Sequence, residues 1–193
     1  MPSSPLLDML RQSWLVLLLA TVLGGALAGV ESWLQPHIQR QAERRLLDAT
    51  REVVPGGIRS EKVPLESGVA YRVVDERGEM AGWAIPATVT GFVDKIELLI
   101  GLSVDASRII GLAILQSKET PGLGDRIREA DFRAQFQDLA ADQPLEVVKP
   151  GQSSPQGIDA IAGATISTWA VTRGVHEQVE RVRSELGNQS SDP

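Results

Sequence analysis

The sequence predicts an α+β protein: a curved antiparallel sheet with helices packed on it, behind one N-terminal transmembrane helix. Three observations carry this. Residues 12–30 hold no charge. Apolar and polar residues alternate in successive short runs between residues 69 and 116. From Ser167 to Leu186 apolar residues recur at helical spacing.

The apolar run comes first in the chain. At about 1.5 Å per residue it is long enough to cross a hydrocarbon core of about 30 Å. Trp14 and Trp33 bracket it like interfacial aromatics. Gly25 and Gly29 form a GxxxG pair suited to a close helix contact. The segments predicted are an N-terminal stretch 1–11, an anchor 12–34 and a juxtamembrane helix 35–57. A cleaved signal peptide is the rival reading, because Ala26-Leu27-Ala28 resembles a cleavage site. The apolar run continues past that site, and Ile38, Ala42, Leu46, Ala49 and Val53 resume one helix face. An uncleaved anchor is therefore expected. Arg40, Arg44 and Arg45 follow the span while Arg11 alone precedes it, so the charge rule by itself would leave the large domain inside.

Pro55-Gly56-Gly57 ends the juxtamembrane helix near Val54. Residues 58–68 read as a polar connector. A domain over 58–187 follows, then a solvated tail at 188–193. Val69, Tyr71 and Val73 open the first strand, and Asp75-Glu76-Arg77-Gly78 turns the chain. Glu79 to Thr90 forms the second strand, where Pro86 demands an edge or a bulge. In the third strand Ile96, Leu98, Ile100 and Leu102 alternate with Lys95, Glu97, Leu99 and Gly101. On the fourth, Ile110, Leu112 and Ile114 face one way. The expected result is a meander with one buried face. Arg126 to Leu139 has weak helical character, and Leu145 to Val148 is a short strand. The last helix shows Val171, Val175, Val179, Val182 and Leu186 on one face.

Composition narrows the function. The 193 residues are 42% hydrophobic and 23% charged, a globular balance. A net charge of −6 lacks the basic footprint of a nucleic-acid binder. The absence of cysteine removes disulfides, thiol catalysis and iron–sulfur clusters. His37 and His176 alone cannot furnish a multi-histidine metal site or a convincing Ser/His/Asp set. Asp94, Glu97 and Asp105 read as solvated charges at strand ends.

Two segments break the pattern without being ordinary turns. Glu119-Thr120-Pro121-Gly122-Leu123-Gly124 has glycines that permit positive φ and close backbone approach. Exposed N–H groups there could hold a planar polar ligand or an anion, or the segment could simply connect a strand to a helix. The second is Asp159-Ala160-Ile161-Ala162-Gly163-Ala164-Thr165-Ile166-Ser167-Thr168, small residues entering a helix. Ser167 or Thr168 is a suitable N-cap, and the helix start attracts phosphate. The alternative is a capped helix packing tightly on a sheet.

At these segments the sequence resembles a known family. The run from Gly91 to Ile127, with its ETPGLG, followed by DAIAGATIST at 159–168, looks like the FMN-binding domain of the G subunit of the Rnf electron-transport complex. The C subunit of the sodium-pumping NADH:quinone reductase is a relative. The similarity covers about residues 60 to 186. It implies FMN joined through its phosphate to Thr165, installed from FAD by a separate flavin transferase that recognises Asp159, Gly163 and Ala164. Ala162 stands where the family often has Ser or Thr. By the same matching, Glu119, Thr120, Gly122, Leu123 and Gly124 line the isoalloxazine; Ser167 and Thr168, as candidate caps of the helix start, are expected at the phosphate. Phe92 and Val93 or Asp94 replace a common tyrosine and glycine. The resemblance further implies a periplasmic domain on the inner membrane, with the D subunit and small multi-span subunits as partners. The expected function is electron relay inside an ion-translocating ferredoxin/NAD oxidoreductase, with no acid or base catalyst. The quinone-reductase C subunit and a non-redox membrane-tethered sensor or assembly factor are the rivals.

Overall fold

The computed structural model describes residues 14, 16, 18–30, 45–152 and 154–189. The chain divides into two units, 1–44 and 45–193. In the first, residues 14, 16 and 18–30 are helical and expose Trp14, Leu18, Leu19, Val22, Leu23 and Leu27. Among the described residues, no helix is long and apolar enough to cross a membrane. The anchor expected at 12–34 also takes in residues 12, 13, 15, 17 and 31–34, which lie outside the described residues. So does the juxtamembrane helix before residue 45.

The second unit is built on a six-stranded antiparallel meander in sequence order. Its strands are β1 (Arg59–Leu65), β2 (Gly68–Val74), β3 (Met80–Thr90), β4 (Lys95–Leu102), β5 (Arg108–Gln116) and the two-residue β6 (Leu139–Ala140). β2 to β5 are the four strands read from alternation. β1 falls in the stretch expected to be a polar connector. It is an edge strand, and its Arg59, Glu61, Lys62 and Pro64 blunt that edge, which is why it carries no apolar alternation. Pro86 pairs with Leu99 of β4, while β2 pairs with β3 only as far as Ala84. The proline therefore sits where β3 has lost one neighbour, as its missing N–H requires.

The expectation of one buried face is corrected: both faces are covered. On one side Ile85, Ile96, Leu98, Ile100, Ile109 and Leu112 form the main core. They meet the long C-terminal helix α3 (Thr165–Gln189) through the predicted stripe Val171, Val175, Val179 and Val182. A 3-10 turn (Gly124–Arg128) and the short helix α2 (Ala130–Ala134) complete this layer with Ile127, Phe132 and Phe136. On the other side lies α1, residues 45–53. It inserts Ala49, Val53 and the following Val54 against Val73, Ala84, Leu99 and Ala113. Val53 and Val54 are fully buried, a burial stabilising by about 1.5–3 kcal/mol per side chain. A register shift between Gly101 and Leu102 sends Ile109 to the α3 face and Ile110 to the α1 face, so Ile110 does not share a face with Leu112 and Ile114.

A separate parallel pair joins β7 (Glu146–Val148) to β8 (Gly157–Asp159). β8 delivers the chain to the start of α3. Asp105 is more than a solvated charge. It caps the β4–β5 turn, accepting from Ser103 Oγ at 2.6 Å and from the Ser107 N–H at 3.2 Å. Those donors, Ser103 first, hold its carboxyl down to about 2.

Candidate functional site

Three segments distant in sequence converge at one end of the sheet. They are the β3–β4 hairpin loop 91–94, the loop 117–124 after β5, and the turn 160–164 that enters α3. Between them is a cleft of about 390 Å³, within the usual size of ligand sites. Its walls include Phe92, Glu119, Thr120, Leu123, Gly163 and Thr165, with Gly124, Ala164, Ile166 and Ser167 completing them.

The three segments are tied by one carboxylate. Glu119 is 4% exposed. Its Oε1 accepts the Val93 N–H at 2.9 Å, and its Oε2 accepts the Ser167 hydroxyl. Gly124 is the neighbour that makes room: a Cβ there would lie 2.7 Å from Glu119 Oε2 and 2.8 Å from Ser167 Oγ. A Cβ at Gly91 would collide with Glu119 Oε1. Burial pushes the Glu119 carboxyl up, but the Ser167 hydroxyl and the N–H groups of Val93, Phe92 and Asp94 outweigh it. The carboxyl is held below its ordinary value and is ionised at neutral pH.

The start of α3 departs from the expected cap. The helix begins at Thr165, so Ser167 and Thr168 lie inside its first turn. Ser167 spends its hydroxyl on Glu119. Thr168 Oγ1 donates to the Ala164 carbonyl at 3.1 Å and accepts the Ile161 N–H at 3.2 Å, fastening the preceding turn. The first helical bond runs from Thr168 N–H to Ala164 O, so the N–H groups of residues 165–167 have no acceptor within the helix. Ala164 stands at the cap position and offers no side-chain oxygen, among the poorest caps available. A long helix left uncapped beside a cleft is a local rule broken where an anion could satisfy it.

The remaining predicted residues divide. Thr165 is exposed at the cleft, with small neighbours before it. Gly163 has φ +81°, and a Cβ on it would lie 3.0 Å from Leu123 Cδ2, so the two predicted segments touch there. Gly122, at φ +74°, forms the outer bend of its loop in open space. Asp159 is not brought into the cleft. It ends β8 and donates its N–H to Gln135 Oε1 at 2.6 Å. There it borders a separate depression with Ala160 and Ala162. Ile166 and Trp169 escaped the sequence reading. They are 56% and 52% exposed, Ile166 lining the cleft and Trp169 one turn further along the exposed face of α3 with Arg173 and Glu177, and the apolar stripe of that helix does not single them out. Among the described residues no group of three or more acidic or histidine side chains could hold a metal.

This fold, with its cleft at one end of the sheet, defines a ligand-binding module. Residues 91–180 match the FMN-binding domain family model. The G subunit of the ion-translocating oxidoreductase complex of Methanosarcina acetivorans is 32% identical over 157 residues, covering 80% of each chain. The G subunit of the proton-translocating ferredoxin:NAD(+) oxidoreductase complex of Clostridium ljungdahlii is 42% identical over 105 residues, 54% of this chain and 55% of that one. Among solved structures, NqrC of Shewanella oneidensis superimposes with a TM-score of 0.58 at 19% identity, covering 71% of this chain and 73% of that chain, a likeness of fold. The chain belongs to the G-subunit family of ion-translocating oxidoreductase complexes.

Proposed function

We propose that this protein carries FMN esterified through its phosphate to Thr165 and relays electrons within an Rnf-type, ion-translocating ferredoxin–NAD oxidoreductase. One observation carries the reading: Thr165 exposes its hydroxyl at the uncapped start of α3, beside a cleft whose other wall is the Glu119–Gly124 loop. The residues present fit the group. The helix start supplies N–H donors for a phosphodiester, and the apolar sides of Phe92, Leu123 and Ile166 suit a planar ring.

Attachment is a group transfer. Thr165 Oγ bonds to the phosphorus of the FMN half of FAD and loses its proton; the pyrophosphate bond breaks and AMP leaves. A flavin transferase is the catalyst in this proposal, with Asp159, Gly163 and Ala164 as its recognition element. Asp159, lying outside the cleft, remains accessible to such an enzyme. The bound flavin would supply one- and two-electron chemistry. Glu119 and Ser167 hold the cleft's three segments together, and Leu123 against Gly163 closes its near side.

The proposal also takes the domain to be held on the periplasmic face by an N-terminal membrane anchor, with the D subunit and small multi-span subunits as neighbours. The names of the relatives favour an Rnf-type G subunit over the quinone-reductase C subunit, whose likeness rests on fold. Fluorescence of the denatured chain in a gel, after production alongside the transferase, tests the flavin. Wild type, Ser167→Ala and Thr168→Ala should fluoresce, and Thr165→Ala should not. A colourless wild type would favour a non-redox sensor.

A further inference from the structure

Glu119 does more than brace the cleft. Each bond it accepts comes from a neutral donor: the Ser167 hydroxyl and the backbone of the 91–94 loop. Lys118, next to it in sequence, turns to Asp94 instead, with Nζ 2.8 Å from Oδ2. Among the described residues, Glu119 has no ion-pair partner. A carboxylate that is 4% exposed and unpaired by any cation projects its charge into the adjacent cleft with little screening. Glutamine at this position would keep one acceptor oxygen and the side-chain shape but carry no charge.

Resting on the FMN reading above, we propose that Glu119 sets the charge of the flavin site: its buried carboxylate disfavours the added negative charge of reduced flavin and holds the potential of the bound FMN low. Reduction by two electrons with uptake of one proton converts the neutral isoalloxazine to a monoanion. In the test the electrons come from dithionite through soluble mediators. A fixed negative charge lining the same cleft opposes that product and not the neutral oxidised ring. The Ser167 hydroxyl tempers the effect by drawing on Oε2.

Two variants of the full-length flavinylated chain separate charge from packing. Glu119→Gln removes the charge and keeps the shape. Ser167→Ala keeps the charge and removes a donor that tempers it. At pH 8, where the carboxylate is ionised in wild type and in Ser167→Ala, the two should move the FMN midpoint potential in opposite directions. Glu119→Gln should raise it, changing the reduced-to-oxidised ratio at fixed poise at least tenfold, about 30 mV for a two-electron couple. Ser167→Ala should lower it. A merely loosened cleft would move both the same way, and that result, or no movement, overturns the inference. Covalent loading is read first by fluorescence in the denaturing gel. An unloaded wild type sinks the FMN reading itself, whereas loaded variants with unchanged potentials sink only the role of Glu119. If Glu119→Gln does not load, Ser167→Ala decides alone. If neither loads, Glu119 and Ser167 act as an assembly brace and the charge-setting role is wrong.

Discussion

Gly101 of β4 and Gly111 of β5 face each other across the sheet, and the backbone of Val53 lies on both. A Cβ on Gly111 would stand 2.6 Å from the Val53 carbonyl oxygen, and one on Gly101 would collide with the same atom. The paired glycines make a dent that seats the end of α1 against the second face of the sheet. Since the obstacle is backbone, it cannot yield by a rotamer change. Gly101→Ala and Gly111→Ala should each cost about 1–3 kcal/mol, the usual penalty of overpacking. Urea denaturation of the full chain checks this. A loss below about 0.5 kcal/mol in both, a level typical of surface changes, would mean that α1 docks elsewhere.

Gly122 and Gly163 share a left-handed backbone but not a neighbourhood. Alanine at either should lose about 1–2 kcal/mol from conformation. At Gly122 the added methyl meets open space, while at Gly163 it presses on Leu123. Gly163→Ala should therefore reduce covalent flavin, read as fluorescence per chain, and Gly122→Ala should leave it near wild type. Equal losses of flavin in the two would detach loading from the Leu123–Gly163 contact.

Acid should expose the Glu119 brace. Its folded pKa lies below its ordinary value of 4.5, so the stability it contributes is complete above that value and is lost as pH falls through the folded one. Glu119→Gln should flatten the decline of stability with pH in that acid range. At neutral pH the variant should be less stable by about 1–3 kcal/mol, because Ser167 and Val93 lose a charged acceptor. Parallel acid curves for the two chains would contradict this.

Much of the architecture was legible, and its gaps have causes. Ile96, Leu98, Ile100 and Leu102 announce β4 because one strand face needs four apolar side chains in a row at period two. The second buried face was concealed on β4 and β5: it is covered partly through Gly101 and Gly111, whose contribution is the absence of a side chain. β1 was hidden by charge that protects an edge, and β8 by its three-residue length, whereas β7 coincides with the short strand expected at Leu145–Val148. At the site, ETPGLG and the GAT turn stood out by breaking periodicity. Ser167 was misread as a cap because its partner, Glu119, is 48 residues away in sequence, and no local pattern encodes that bond.

The central claim is a bond at one side chain. Peptide mass mapping of the mature chain, isolated from cells that make the transferase, addresses it directly. The peptide containing residues 158–173 should carry the mass of FMN less one water, with fragmentation placing it on Thr165. An unmodified Thr165 in that peptide, or an adduct on Ser167 or Thr168, would contradict the account.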